Sequence, residues 1–267
     1  MTDKGLPQPG EVVFVGAGPG DPRLLTVAGR DTVAAADVVL YAGSLVNPAV
    51  LDWARPGAEI HDTAGMNLDQ TTAVCLEAAR AGRSVVRLHT GDPSLYGAIQ
   101  EQLVPLEQAG VPCRVIPGVS SAFAAAAALG TQLTLPDVSQ SVVFTRLAGR
   151  TPVPETESLE RFAATSATLC VFLSVDRIGE VVAACRAGGR GDDTPVAVVS
   201  RASWSDQREV CGTLADIAGK VCDAGIRRQA MILVGDALRP RLQGWDAFQR
   251  SKLYDAGFSH GYRQGED

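Results

Sequence analysis

The residues with the most chemical potential lie in one stretch, His89-Thr90-Gly91-Asp92-Pro93-Ser94-Leu95-Tyr96-Gly97. Asp92 supplies a carboxylate that could serve as a general base, anchor a ligand or order its own loop. Gly91 and Gly97 permit close backbone approach, and Pro93 fixes the turn after Asp92. The stretch follows an apolar run, Ser84–Leu88, and precedes a helix-like segment, Ala98–Gln108. It therefore falls at the carboxyl end of a strand, where open α/β sheets bind their ligands. The plainer reading is a strand-to-helix turn with Ser94 as N-cap. Tyr96 either faces a substrate or packs into the core.

A second glycine turn, Gly16-Ala17-Gly18-Pro19-Gly20-Asp21, ends an apolar run over Glu11–Gly16. A dinucleotide fingerprint G-x-G-x-x-G would need glycine where Asp21 stands, and Pro19 removes an N–H that could hold phosphate. The next strand ends in Leu40-Tyr41 rather than in an acidic ribose ligand. A P-loop is absent. The turn is shaped for close approach by something other than a pyrophosphate, which disfavours a nicotinamide redox enzyme. A third candidate turn is Pro117-Gly118-Val119-Ser120-Ser121, whose serines are also good helix caps.

Composition narrows the classes. With 267 residues, 46% of them hydrophobic and 20% charged, the chain is long enough for two modest soluble domains. A formal charge of −6 argues against nucleic acid as partner. The cations are almost all arginine, whose planar fork suits carboxylates; Arg146 and Arg150 flank a loop suited to gripping substrate carboxylates. Six cysteines form no C-x-x-C pair and read as small buried residues of a reducing compartment. Three scattered histidines show no metal-site spacing. Met1–Gly10 is no signal peptide and no apolar run is long enough to span a membrane, so a cytoplasmic location is expected.

The elements that must position these residues alternate. Strands are expected over Glu11–Gly16, Asp37–Tyr41, Ala58–Asp62, Ser84–Leu88 and Cys113–Ile116. Helices fall between them, over Leu24–Ala36 with Thr26 near its start, Pro48–Ala54, and Leu68–Ala81 with Asn67 as N-cap. An alanine-rich helix, Ala122–Leu129, follows. The second half restarts the pattern with strands over Ser141–Thr145, Thr168–Ser174, Pro195–Ser200 and Gln229–Gly235. Between them lie helices over Ser158–Ala164, Ile178–Ala187 and Leu214–Cys222, while Gln207–Gly212 reads as an edge strand or hairpin arm. The fold class is α/β, and the alternation predicts parallel or mostly parallel sheets. In the tail, Trp245, Phe248, Tyr254 and Phe258 are available to dock on the body.

Taken together, the motifs resemble the tetrapyrrole (corrin and porphyrin) methyltransferases, S-adenosylmethionine enzymes distinct from the Rossmann type. The matching pieces are Val15–Asp21, Thr90–Pro93, Pro117–Ser121, Thr168–Leu173 and Gln229–Gly235, in family order over about residues 11–238. Tyr41–Val46, Leu133–Pro136, Gln140–Arg146 and Ser251–Tyr254 point to one branch of the family and speak against methylation of uroporphyrinogen III. The resemblance implies two successive α/β domains, residues 1–116 and 117–238, with a tail over 239–267 and the methyl donor in a cleft between the domains. It also implies a homodimer and a tetrapyrrole substrate, with S-adenosylhomocysteine as the second product.

Carried over by position, the donor contacts would be Pro19, Thr90, Gly91, Asp92 and Leu95. From the second domain they would be Ser120, Ser121, Leu173, Ala202, Ala230 and Met231. Tyr96 and Arg146 would face the substrate. Gln229 departs mildly from relatives that carry proline before Ala230. Methyl transfer from a sulfonium is an in-line displacement that needs no acid for the leaving thioether, consistent with the lack of a nucleophile–base pair. A non-catalytic tetrapyrrole- or nucleotide-binding module is the reading from another class.

Overall fold

The computed structural model describes residues 5–244 and 251–264, so Trp245 and Phe248 lie outside the described residues. Contacts divide the chain into two units, Met1–Ala124 with Arg201–Asp206, and Ala125–Ser200 with Gln207–Asp267. The first therefore runs past the Ile116 boundary expected from sequence and takes in a short segment from far along the chain.

Unit 1 is a five-stranded parallel sheet in the order β3-β2-β4-β1-β5. Its elements are β1 (Val12–Gly16), α1 (Val27–Ala35), β2 (Val38–Tyr41), β3 (Glu59–Asp62) and α2 (Leu68–Arg80). They continue with β4 (Val85–His89), α3 (Ile99–Gln108), β5 (Cys113–Ile116) and α4 (Ser121–Ala128), which leads out of the unit. β1 and β4 are buried along their whole length; β1 reads as an unbroken apolar run, while β4 carries Arg87 and His89 among its apolar residues. Val13, Val15 and Leu88 pack toward Val33 and Ala36 at the α1 side, while Val12, Phe14 and Val85 pack with Cys75 of α2 and Leu106 of α3.

Local chemistry sets the helix ends. Thr26 Oγ1 accepts the Gly29 N–H and caps α1. Pro22–Leu24 forms a separate 3-10 turn, so α1 starts later than the sequence pattern suggests. Asn67 and Gln70 make a reciprocal capping box at α2. β1 and β4 lie side by side, yet α1 and α3 that follow them cover opposite faces. Their carboxyl ends thus form the switch point at which such sheets bind ligands.

Unit 2 contains β6 (Val142–Arg146), α5 (Leu159–Ala163), β7 (Thr168–Phe172), α6 (Ile178–Ala187) and β8 (Pro195–Ser200). It is completed by β9 (Arg208–Thr213), α7 (Ile217–Asp223), β10 (Ala230–Val234) and α8 (Arg239–Gln243). The strand order is β6-β7-β10-β8-β9. Here the expectation of a mostly parallel sheet is corrected: β6 and β7 are parallel, but β7–β10, β10–β8 and β8–β9 are antiparallel. β8 and β9 are joined without a helix, so the chain returns beside itself, and β10 then inserts between β7 and β8. The edge strand expected near Gln207–Gly212 is β9. Its core gathers Leu169, Val171, Val181, Cys185, Val198, Ile217 and Ile232.

The cysteines divide. Cys75, Cys170 and Cys185 are buried, whereas Cys211 and Cys222 are exposed, against the expectation of burial for the set. Cys211 sits on edge strand β9 and Cys222 near the end of α7, where one side of each element meets solvent. No helix among the described residues is long and apolar enough to cross a membrane.

Candidate functional site

Three glycine-bearing turns meet at the carboxyl ends of β1, β4 and β5. Gly18 and Gly91 exchange backbone hydrogen bonds, the Gly91 N–H reaching Gly18 O at 2.9 Å and the Gly18 N–H reaching Gly91 O at 3.2 Å. The third turn closes on this pair without a gap. A Cβ on Gly118 would lie 2.1 Å from Gly91 O, and one on Gly16 would lie 2.5 Å from the Gly118 Cα. These are backbone obstacles, so no side chain fits at either position. The spacing of glycines in the sequence thus encodes a three-way backbone junction.

Asp92 locks the junction. Its Oδ2 accepts the Gly118 N–H at 2.8 Å, and its Oδ1 accepts the Ser94 N–H at 2.9 Å together with the Ser94 hydroxyl. Burial pushes the Asp92 carboxyl up, but the hydrogen bonds from Ser94 and Gly118 outweigh it and hold the carboxyl below the usual range. Both oxygens are engaged in ordering the loops. Ser94 is consequently not the N-cap of α3: that helix starts after Ala98, which has φ +49° and no side-chain cap. Leu95 is half-buried. Tyr96 sits at φ +57° and is 48% exposed, which corrects the core-packing alternative. Ser120 is buried and its Oγ accepts the Ala122 N–H at 3.3 Å, so it serves as a cap at α4, whose first residue is Ser121.

Beneath the loop lies His89. Its ring packs 5.7 Å from that of Phe14, and a Cβ on Gly97 would come within 3.3 Å of its Nδ1. Burial, aided by nearby Arg87, lowers its pKa to about 3, so the imidazole is neutral. His89 is a support for the loop rather than a proton carrier.

The Gly16–Asp21 turn is held at successive peptide groups. Trp204 Nε1 donates to Pro19 O at 2.9 Å, Asn47 Nδ2 donates to Gly20 O at 2.8 Å, and the Asp21 N–H donates to Ser203 Oγ at 2.9 Å. Ala202, a sequence-derived candidate, is buried in the same Arg201–Asp206 segment of unit 1. Sequence reasoning missed Asn47, Ser203 and Trp204. The available signal was a large aromatic in an otherwise small and polar run, Ser203-Trp204-Ser205-Asp206.

The other candidates belong to unit 2. Leu173 follows β7 with φ +51° and is 69% exposed, an apolar side chain held out from its own strand. Ala230 and Met231 open β10, with Met231 buried. Gln229 before them has φ +51°, and the strand expected after it is present as β10. Arg146, at the end of β6, donates to the carbonyls of Leu147, Thr151 and Pro152 at 3.1, 3.2 and 2.8 Å. Its guanidinium braces the loop it opens, beside a surface pocket of about 240 Å³ that includes Ser158 and Arg177. Arg150 is exposed on that loop.

The chain is similar over most of its length to known proteins. Residues 11–218 match the model of the tetrapyrrole (corrin/porphyrin) methylases. The chain belongs to that family. Among individual tetrapyrrole methylases, it is 50% identical over 254 residues to the cobalt-precorrin-4 C(11)-methyltransferase of Methanocaldococcus jannaschii, covering 95% of this chain and 96% of that protein. It is 46% identical over 255 residues to the precorrin-4 C(11)-methyltransferase of Pseudomonas aeruginosa, covering 96% of this chain and 99% of that one. The solved uroporphyrin-III C-methyltransferase of Thermus thermophilus, complexed with S-adenosylhomocysteine, has 33% sequence identity and a TM-score of 0.72. That match covers 86% of this chain and 93% of the other. The tetrapyrrole methylase fold expected from the motifs is therefore present.

Proposed function

We propose that this chain transfers a methyl group from S-adenosylmethionine to C11 of precorrin-4, a step of cobalamin biosynthesis, and releases S-adenosylhomocysteine. The observation that carries the reading is the glycine junction at the switch point of unit 1, in a chain sharing 46–50% identity with named precorrin-4 methylases. Support for the donor comes from the solved relative complexed with S-adenosylhomocysteine.

Pro19 lacks an N–H that could hold a phosphate, so the turn favours a ligand other than a pyrophosphate. Pro19, Thr90, Gly91, Asp92 and Leu95 would hold the donor, with Ser120 and Ser121 from the third turn. Ala202 and Met231 are buried and would act through their backbone or by packing, and Leu173 and Ala230 complete the assignment. Asp92 works here as an anchor of the loops. Tyr96, turned to solvent by its left-handed backbone, is assigned to the substrate.

When bound, the donor supplies an electrophilic methyl: the ring carbon forms the new C–C bond as the C–S bond breaks, and the electron pair stays on sulfur. The protein's own residues then have one main task, to hold methyl and carbon in line at roughly 3–3.5 Å, an orientation effect of about 7–11 kcal/mol. No side chain has to protonate the leaving group. Arg146, by bracing its loop, would shape the surface that receives the substrate's carboxylates. A cytoplasmic homodimer is proposed as the working form.

The 50% identity to a cobalt-precorrin-4 enzyme favours a second reading, in which the macrocycle already carries cobalt. Parallel assays with metal-free and cobalt-bearing precorrin-4 separate the two. Turnover of either, with one methyl gained by mass spectrometry, supports the reading; donor binding without methylation of either contradicts it.

A further inference from the structure

We propose that Trp204 is a positioning residue for the donor turn, acting through the Pro19 carbonyl and the space it leaves above Gly20. The inference rests on the reading that the Gly16–Asp21 turn receives the donor. Trp204 lies in the connection between β8 and β9, more than 180 residues from the turn it holds, yet its Nε1 donates to Pro19 O at 2.9 Å. The indole also occupies the volume that any side chain at position 20 would need. A Cβ on Gly20 would lie 2.1 Å from Trp204 Cδ1 and 2.2 Å from Nε1. Glycine at position 20 and tryptophan at position 204 are thus a matched pair.

The strap that carries Trp204 is itself held in a chosen shape. Arg201 stacks its guanidinium 3.9 Å from the centre of the indole and pairs with Asp206 at 2.7 Å. Arg201 and Ser203 adopt φ +51° and +69°, conformations that side-chain-bearing residues enter only when the surroundings require them. Ser203 then takes the Asp21 N–H, one residue beyond Gly20. Indole and hydroxyl therefore grip the turn on either side of Gly20, and Asn47 holds the Gly20 carbonyl between them. A turn gripped in this way has its Pro19 contact surface already formed when the donor arrives, which lowers the ordering penalty of binding.

The test uses four full-length variants: Trp204→Phe, Trp204→Ala, Gly20→Ala, and Gly20→Ala combined with Trp204→Ala. Calorimetric titration with S-adenosylhomocysteine reads donor affinity, steady-state kinetics reads KM for donor and for tetrapyrrole, and thermal melting reads the fold. Trp204→Phe removes the N–H but keeps a ring, so donor affinity should fall about threefold to tenfold. Its tetrapyrrole KM and melting temperature should stay at wild-type values. Gly20→Ala should lose more, and its loss should be smaller when Trp204 is already alanine, because the obstacle is gone. Wild-type donor affinity in Trp204→Phe, or an equal Gly20→Ala loss in both backgrounds, overturns the proposal. If the wild-type protein itself fails to bind S-adenosylhomocysteine, the donor reading falls and this proposal with it.

Discussion

Asp92 and Gly118 stand 26 residues apart in the chain and are joined by a 2.8 Å hydrogen bond from the glycine N–H to the carboxylate. That bond ties the turn after β4 to the turn after β5. The same carboxylate holds Ser94, so one side chain sets the shape of both edges of the junction. Replacing it by an amide puts an NH2 where an acceptor is required. Asp92→Asn should weaken donor binding by about tenfold or more, the scale of losing a hydrogen bond to a charged group. Because the folded carboxyl titrates below its unfolded value, its stabilisation is complete above about pH 4 and is lost as pH falls through the lower folded value. The stability gap between wild type and variant in urea unfolding should therefore hold steady from neutral pH to about 4 and close below it. A gap that is absent at neutral pH would remove Asp92 from this role.

Gly118 allows a direct check of the junction's packing. A methyl group there would meet Gly91 O at 2.1 Å, and both partners are backbone. Gly118→Ala should destabilise unit 1 by roughly 1–3 kcal/mol and reduce donor affinity together with it. Chemical denaturation followed by donor titration measures both, and an alanine variant with unchanged values would contradict the geometry.

His89 predicts a pH effect of opposite origin. Its folded pKa of about 3 lies below the unfolded 6.5, so the native state disfavours the proton. Its contribution is fully present above pH 6.5 and is lost as pH falls from there toward 3. Between pH 7 and pH 5 the wild type should lose roughly 2 kcal/mol more than His89→Gln, from about 1.4 kcal/mol per pH unit. Parallel slopes for the two proteins would show that the imidazole is not held neutral.

Arg146 separates bracing from direct contact. With three N–H···O bonds to its own loop, its removal should loosen residues 147–153 and expose Arg150 to faster tryptic cleavage. Tetrapyrrole binding should weaken about tenfold in Arg146→Ala while donor binding is unchanged. Equal loss of both would assign Arg146 to general stability.

The features legible in the sequence are the local ones. Thr26 and Asn67 cap the helices they precede, and glycines at 16, 91 and 118 mark the turns. Family membership followed because those turns occur in a fixed order. Long-range pairings were not legible. Nothing near residue 204 announces that its indole will close on Pro19, since that contact depends on how β8 and β9 are joined. Antiparallel pairing in unit 2 was hidden for the same reason: an alternating strand–helix pattern does not record where β10 inserts. Arg146 looked like a free carboxylate clamp because its partners are backbone carbonyls, which carry no sequence signature. Ser94 looked like a cap because the left-handed residues Tyr96 and Ala98, which delay α3, are types that rarely adopt that conformation.

The position of the new methyl group on the macrocycle is decisive for C11 methylation. Precorrin-4 is incubated with the protein and S-adenosylmethionine labelled in its methyl carbon, and the product is examined by NMR. A single labelled methyl on C11 and one equivalent of S-adenosylhomocysteine are expected. A label on any other ring carbon, or a macrocycle left unlabelled by protein that binds the donor, would contradict C11 methylation.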